Sequence, residues 1–229
     1  MTERQQDPAT HRLHLYLSRH GETVWNTEHR MQGRGDSPLT EKGLSDAKKL
    51  ASFLAAIPLT AAFCSPAGRA RLTTEIALAG QPVPIIEEDR IQEMALGRYE
   101  GLSVREAYAL DHENMEAFFH HPERYKANEG ESFEAVYNRI KTFLDDLTSD
   151  PLKMLNRAGN VIPDGDDLHI LVISHNITIK AMLTVMQNQS VERIREGPPI
   201  PQTTLIPVIY DPSAKTWLTK FHDDHIDLM

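Results

Sequence analysis

Cysteine is nearly absent: Cys64 is the only one in 229 residues. A single thiol closes no internal disulfide, so a reducing compartment is expected, which we take as cytoplasmic. Cys64 ends an apolar run and is expected to be a small buried residue rather than a nucleophile. No stretch approaches the ~20 consecutive apolar residues of a membrane span. Residues 1–10 are polar and hold no apolar segment, so they do not read as a secretory signal and are expected to form a disordered tail. An excess of basic charge is also missing, since the formal net charge is −9. That argues against a nucleic-acid or anionic-membrane partner. No internal repeat or low-complexity linker divides the chain, so one domain over residues 11–229 is expected. At 40% hydrophobic and 25% charged, the composition suits a globular chain with a sizeable core.

What is present starts with an alternating apolar run, Leu13-His14-Leu15-Tyr16-Leu17, which reads as a short buried strand. It delivers Arg19 and His20 at its C-terminal end, and Gly21 then lets the backbone turn closely. A second run, Leu168 to Ser174, is more continuously apolar, as expected for a central strand covered on both faces. It ends at His175, and a helical pattern begins at Asn176. In open α/β sheets, ligands bind outside the carboxyl ends of strands. Two strands that each end in a histidine therefore predict two imidazoles over one sheet edge.

Between these runs the chain alternates strand and helix. Thr40 to Ile57 reads as a helix with Thr40 as N-cap, ended by Pro58, and Thr60 to Cys64 reads as a strand. Ser65-Pro66 reads as a helix start, with Ser65 as N-cap and Arg69 near the first turn. Val83 to Ile86 reads as a strand, and residues 91–101 as a loop with two glycines and two acids, Glu93 and Glu100. Val104 to Phe119 reads as one helix, stopped by His120-His121-Pro122. Two adjacent histidines on a helix do not face one ion, so no metal site is expected there. Arg124 and Lys126 follow in a polar loop and are candidates to touch substrate. Ser132 is expected to cap a helix over Phe133 to Leu147. Residues 148–167 read as an exposed connection with one helical turn around Leu152 to Arg157, and Ile177 to Met186 as an apolar helix. Thr203 to Tyr210 and Lys215 to Phe221 read as an edge hairpin. The His- and Asp-containing tail beyond Phe221 reads as solvated. Strand–helix alternation predicts a three-layer α/β sandwich: a mainly parallel sheet flanked by helices, with a helical excursion, about residues 92–132, over the strand C-terminal ends.

The chain resembles the histidine phosphatase superfamily, the phosphoglycerate-mutase-like group. The resemblance rests on Arg19-His20-Gly21-Glu22-Thr23 followed by Asn26 and Gln32-Gly33, on Ser65-Pro66-Ala67-Gly68-Arg69-Ala70, on Glu93 to Gly101, and on Ser174-His175. It implies a metal-independent phosphohydrolase of the phosphatase branch, with no cofactor and a small-molecule phosphoester as substrate. It implies Glu93 as proton donor and Glu100-Gly101 as the family's Glu-Gly pair. It assigns phosphate contacts to Arg19, Asn26, Gln32, Gly33, Arg69, His175 and Asn176. The family commonly has glycine where this chain has Asn176, which is expected to supply its backbone N–H and cap the helix.

The chemistry fits these residue types. A phosphoryl group is a multiply charged tetrahedral anion, and its transfer needs positive donors, an in-line nucleophile and an acid for the leaving oxygen. The planar, permanently charged forks of Arg19 and Arg69 suit the first task. His20 is the candidate nucleophile, forming a phosphohistidine, with its other ring nitrogen held by a carbonyl near Gly21. The two arginines should keep it neutral. His175 is expected to add a donor if protonated. Two alternatives compete. A phosphoglycerate mutase of this family carries an Asn-Lys pair after the Glu-Gly element and an Arg-Arg pair in the excursion. Here Leu102-Ser103-Val104-Arg105 follows Gly101, and no Arg-Arg pair lies between residues 100 and 132. An idle phosphoester-binding module would be free to lose one of Arg19, His20, Arg69, Glu93 and His175, and all are present. Arg34-Gly35-Asp36 also spells an adhesion tripeptide, expected here to be chance. Nothing in the sequence fixes the oligomeric state.

Overall fold

Leu13, Leu15 and Leu17 are fully buried along β1, Arg12–Arg19, which is the second of two central strands in a six-stranded sheet. The structure is a computed structural model and describes residues 11–158 and 167–219. The other strands are β2 (Ala61–Cys64), β3 (Ile85–Glu87), β4 (Asp167–Ser174), β5 (Leu205–Asp211) and β6 (Thr216–Thr219). Their order is β3-β2-β4-β1-β5-β6. The first four in that order run parallel, and β5 runs antiparallel to both β1 and β6. The mainly parallel sheet and its edge hairpin are thus as expected. Residues 1–10 and the tail beyond Phe221 lie outside the described residues.

Side chains alternate across the sheet and seed two apolar layers. Ala62, Cys64, Leu171 and Ile173 point to the face covered by α2 (Glu41–Leu54) and α3 (Gly68–Ala77). Leu13, Leu15, Leu17, Phe63, Ile170 and Val172 join the opposite layer, with α6 (Phe133–Ser149) and α8 (Asn176–Met186). Helix α6 shows why: Phe133, Val136, Ile140, Phe143, Leu144 and Leu147 form one buried stripe at helical spacing. Ser132 caps it, accepting from the Ala135 N–H at 3.1 Å. The short α1 (Val24–Thr27) follows β1, and α7 (Pro151–Leu155) supplies the helical turn expected after α6.

Three local expectations change. The helix expected over Val104 to Phe119 is two, α4 (Val104–Leu110) and α5 (His112–His120). Asp111 breaks it at φ −157°, because its carboxylate caps α5 by accepting from the Asn114 N–H and also takes bonds from Arg98 and Tyr99. The helix from Thr40 stops at Leu54, three residues short of Ile57, in turns ahead of Pro58. The helix expected to start at Ser65-Pro66 starts at Gly68 with Ala67 as N-cap. Ser65 instead prolongs the sheet, its N–H donating to Ile173 O at 3.1 Å, and its hydroxyl faces His175.

Candidate active site

Register brings the two histidines together. In the parallel β1–β4 ladder Arg19 stands opposite Ser174, so the next residues, His20 and His175, leave the sheet side by side. The His20 N–H donates to Ser174 O at 3.0 Å, and the two rings lie 5.2 Å apart. Cys64 pairs with Ile173 in the β2–β4 ladder, which delivers Ser65 to the same edge. Gly21 permits the turn: a Cβ there would lie 2.9 Å from Gly43 O, and its N–H donates to Thr73 Oγ1 at 3.0 Å.

His20 is buried, and its tautomer follows from its partners. Gly21 O only accepts, so Nδ1, 2.8 Å away, carries the proton. Nε2 then presents a lone pair, to which Arg69 Nε–H donates at 3.3 Å. Burial, then the charges of Arg19 and Arg69, push the proton affinity of His20 well below the ordinary histidine range. His175 is lowered in the same way by burial and by Arg69, His20 and Arg19. Its Nδ1 accepts from Arg69 Nη2 at 3.2 Å, so its proton sits on Nε2 and is donated to Ser65 Oγ at 2.7 Å. The condition set for His175 as an added donor, protonation, is thus opposed by its surroundings: the ring is wedged between an arginine and a hydroxyl.

Arg69, 2% exposed, binds this edge to the loop after α1. Nη1 donates to Gly35 O at 2.7 Å and Asp36 Oδ1 at 3.0 Å, and Nη2 to Gly33 O at 2.8 Å. Gly68 makes room, since a Cβ there would meet Asp36 Oδ2 at 2.3 Å. Arg19 differs. Nη1 donates to Ile200 O at 2.9 Å, but Nε is buried without a partner, and among the described residues no ion pair restrains the group. Burial lowers its proton affinity to about 10, with Glu93 opposing and Arg69 adding to that shift.

Glu93 reaches the site because residues 91–93 are strapped across the start of α8. Ser174 Oγ donates to Ile91 O and Thr178 Oγ1 to Gln92 O, both at 2.7 Å. The Glu93 carboxylate accepts from the N–H groups of Met94 (3.0 Å), Ile177 (3.2 Å) and Thr178 (3.2 Å). These bonds fix the carboxyl group at the start of α8.

The remaining predicted residues are mostly framework. Asn26 closes a capping box on α1, its Oδ1 accepting from the Thr23 N–H and hydroxyl, both at 3.1 Å. Gln32 Nε2 donates to Thr23 Oγ1 at 2.6 Å, and its Oε1 is buried and unpaired. Gly33 sits at φ +55°, where a Cβ would clash with Glu100. Glu100 in turn accepts from the N–H groups of Arg34, Gly35 and Leu96. Asn176 does not cap α8; the N-cap is His175, whose side chain makes no capping bond. Asn176 Oδ1 instead accepts from the Ile200 N–H at 2.8 Å, at the same residue whose oxygen accepts from Arg19. Arg124 and Lys126 are not brought to the site but line a separate cavity of about 250 Å³ with Asp111, Asn114 and Glu116. The adhesion-like tripeptide is engaged internally, Arg34 with Glu131 at 3.2 Å and Asp36 with Arg69. Sequence reading missed Ser65 as a histidine partner and Asp36 as an arginine partner. Among the described residues, no group of three or more His, Cys, Asp or Glu side chains is placed to hold a metal ion. Nor is any described helix long and apolar enough to cross a membrane.

Paired histidines and buried arginines at parallel strand ends define a class of phosphate-handling enzymes, and residues 15–223 match the histidine phosphatase superfamily (branch 1). The chain belongs to that family. It is 32% identical over 168 residues to phosphoserine phosphatase 1 of Hydrogenobacter thermophilus, covering 73% of each chain. It is 30% identical over 186 residues to 2,3-bisphosphoglycerate-dependent phosphoglycerate mutase 2 of Gloeobacter violaceus, covering 80% of this chain and 79% of that one. Among solved structures it resembles Bacillus stearothermophilus YhfR, with TM-score 0.79 and 31% identity over 91% of this chain and 95% of the other.

Proposed function

We propose that the protein is a phosphomonoester hydrolase working through a phosphohistidine on His20. The observation that supports this most is the fixed tautomer: Nδ1–H is committed to Gly21 O, so Nε2 carries the lone pair for attack, steered at rest by the Arg69 Nε–H at 3.3 Å. The lone pair attacks phosphorus, the P–O bond to the alcohol breaks, and Glu93 gives its proton to the leaving oxygen. Glu93 then takes a proton from water as the water oxygen attacks the phosphohistidine, and phosphate leaves with the Nε2 lone pair restored. Arg19, whose buried Nε lacks a partner, offers donors to the phosphoryl oxygens. Arg69 adds charge and sets both imidazoles, and His175 and the backbone at Asn176 complete the cradle. Asn26, Gln32 and Gly33 act by shaping the loop that Arg69 grips. In this reading residues 11–229 form one catalytic unit, with 92–132 on the alcohol side. The partner is a small phosphoester, and the single buried thiol suits a cytoplasmic setting.

A mutase remains the second reading, favoured by the similarity to the Gloeobacter enzyme. The test is an assay with EDTA on p-nitrophenyl phosphate and 3-phosphoglycerate in parallel. Phosphate release without 2-phosphoglycerate is expected, and 2-phosphoglycerate formed in the presence of 2,3-bisphosphoglycerate would establish the mutase instead. Glu93→Gln should lose roughly a hundredfold on 3-phosphoglycerate, whose alkoxide needs a proton, and much less on p-nitrophenyl phosphate. Equal losses on both would remove Glu93 as the acid.

A further inference from the structure

Arg195 belongs to no motif in the sequence, yet its guanidinium is held against two aromatic rings. Its central carbon lies 4.9 Å from the ring centroid of Phe118 and 5.0 Å from that of Phe119, both on α5. Those rings meet edge to face, and Tyr108 stacks on Phe119 at 5.8 Å. Aromatic faces fix the plane of a guanidinium and leave its N–H edge for a ligand. That edge is short of partners: Arg195 Nε is buried and bonds to nothing. The other arginines with mostly buried side chains are Arg69, Arg90 and Arg139, which pair with Asp36, Glu88 and Glu131, and Arg19. Among the described residues only Arg19 and Arg195 are substantially buried without an ion pair. Both lie within reach of the charge of Glu93, which works against the effect of burial on each.

The segment carrying Arg195 is fixed at both ends. Lys180, on α8, donates Nζ to the carbonyls of Glu196 and Gly197 at 2.9 Å and, more weakly, to that of Arg195 at 3.5 Å. Ile200 bonds through its N–H to Asn176 and through its oxygen to Arg19. Arg195 is thus placed relative to the phosphoryl donors by the same elements that carry them. A buried guanidinium with an open edge is costly unless an anion completes it.

We propose that Arg195 is a specificity-determining residue that binds a carboxylate on the alcohol half of the substrate, so that the enzyme prefers phosphate esters of hydroxy acids. This rests on the phosphohydrolase reading above, in which Glu93 marks the leaving oxygen, Arg19 the phosphoryl side and Arg195 the alcohol side. The absence of an Arg-Arg pair in the excursion left no carboxylate partner visible in the sequence. Arg195, arriving from a distant loop, supplies one.

The test uses a matched pair, 3-phosphoglycerate and glycerol 3-phosphate, which differ by a carboxylate in place of a hydroxymethyl group. Arg195→Gln should reduce kcat/KM on 3-phosphoglycerate roughly 10- to 100-fold, chiefly through KM, and change glycerol 3-phosphate by less than about threefold. Arg195→Lys, which keeps the charge, should recover part of the loss. Equal losses on both substrates, or none on either, would overturn the proposal. Binding is measured by calorimetry in the His20→Ala background, with and without Arg195→Gln. There the second change should weaken 3-phosphoglycerate about tenfold and leave glycerol 3-phosphate unchanged. If wild-type protein releases no phosphate but this difference in binding persists, the carboxylate site stands and the hydrolase reading falls. If 3-phosphoglycerate binds no better than glycerol 3-phosphate, the carboxylate site falls whatever the turnover.

Discussion

Arg69 and Arg195 are both guanidiniums drawn out of water, and they are held in opposite ways. Arg69 directs its N–H groups at Gly33 O, Gly35 O, Asp36 and the two histidines. Arg195 rests on the faces of Phe118 and Phe119 and leaves Nε without a partner. Polar partners turn an arginine into framework, whereas aromatic faces orient it and keep its hydrogen-bonding edge available. Arg19 lies between the two, with one bond to Ile200 O and a bare Nε. In the proposed reading the phosphoryl side is a cradle of strand ends, and the alcohol side is an aromatic wall carrying the Arg195 charge. Changes on the first side should hurt every substrate alike, and changes on the second should sort substrates.

The largest expected effect is on the cradle. His20→Ala removes the nucleophile and should lower kcat/KM at least about a thousandfold on every phosphomonoester. Turnover near the wild-type rate would end the nucleophile assignment and with it the division into two sides. Asp36→Ala is gentler. It removes one anchor of Arg69, an exposed carboxylate at 3.0 Å, while leaving the carbonyl partners. A loss of roughly tenfold is expected, the same for 3-phosphoglycerate and glycerol 3-phosphate. Discrimination between that pair by Asp36→Ala, measured beside Arg195→Gln, would show that the two regions are not separable.

Much of the cradle was legible because it is local. An alternating run predicts β1 and a continuous apolar run predicts β4, and each leads directly into one of the paired histidines, His20 and His175. What joins them, the ladder that sets Arg19 against Ser174, is a tertiary fact with no local signal. Ser65 shows the opposite failure. Ser-Pro is a sound helix-start signal, but the hydroxyl is engaged by His175, which lies far along the chain, and the helix begins later. At Asp111 an apolar pattern runs on through a real break, because one carboxylate serves the α5 cap, Arg98 and Tyr99 at once. Arg195 had no readable signal, since its aromatic partners come from another part of the chain and its missing ion pair is visible only in three dimensions.

The smallest effect is on stability, and it separates the cradle from the rest of the sheet. His20 and His175 are both buried neutral, with proton affinities pushed well below the ordinary value of 6.5. The unfolded chain protonates these side chains near pH 6.5 and the folded chain does not, so the unfolded state binds more protons below that pH. Their contribution is complete above about pH 6.5 and is lost as pH falls below it. One pH unit lower, the loss should be roughly 1 kcal/mol for each ring. His169 is also lowered, by burial and by His14, which it stacks on at 4.4 Å near the opposite end of β4, and it acts in the same direction. Urea midpoints between pH 7 and pH 5.5 should therefore fall in wild type. They should fall less in the His20→Asn, His175→Gln double variant, leaving a residual slope that His169→Gln removes. A double variant with the wild-type slope would show that the cradle histidines gain protons without resisting, and the fixed tautomer on which the nucleophile depends would have to be abandoned.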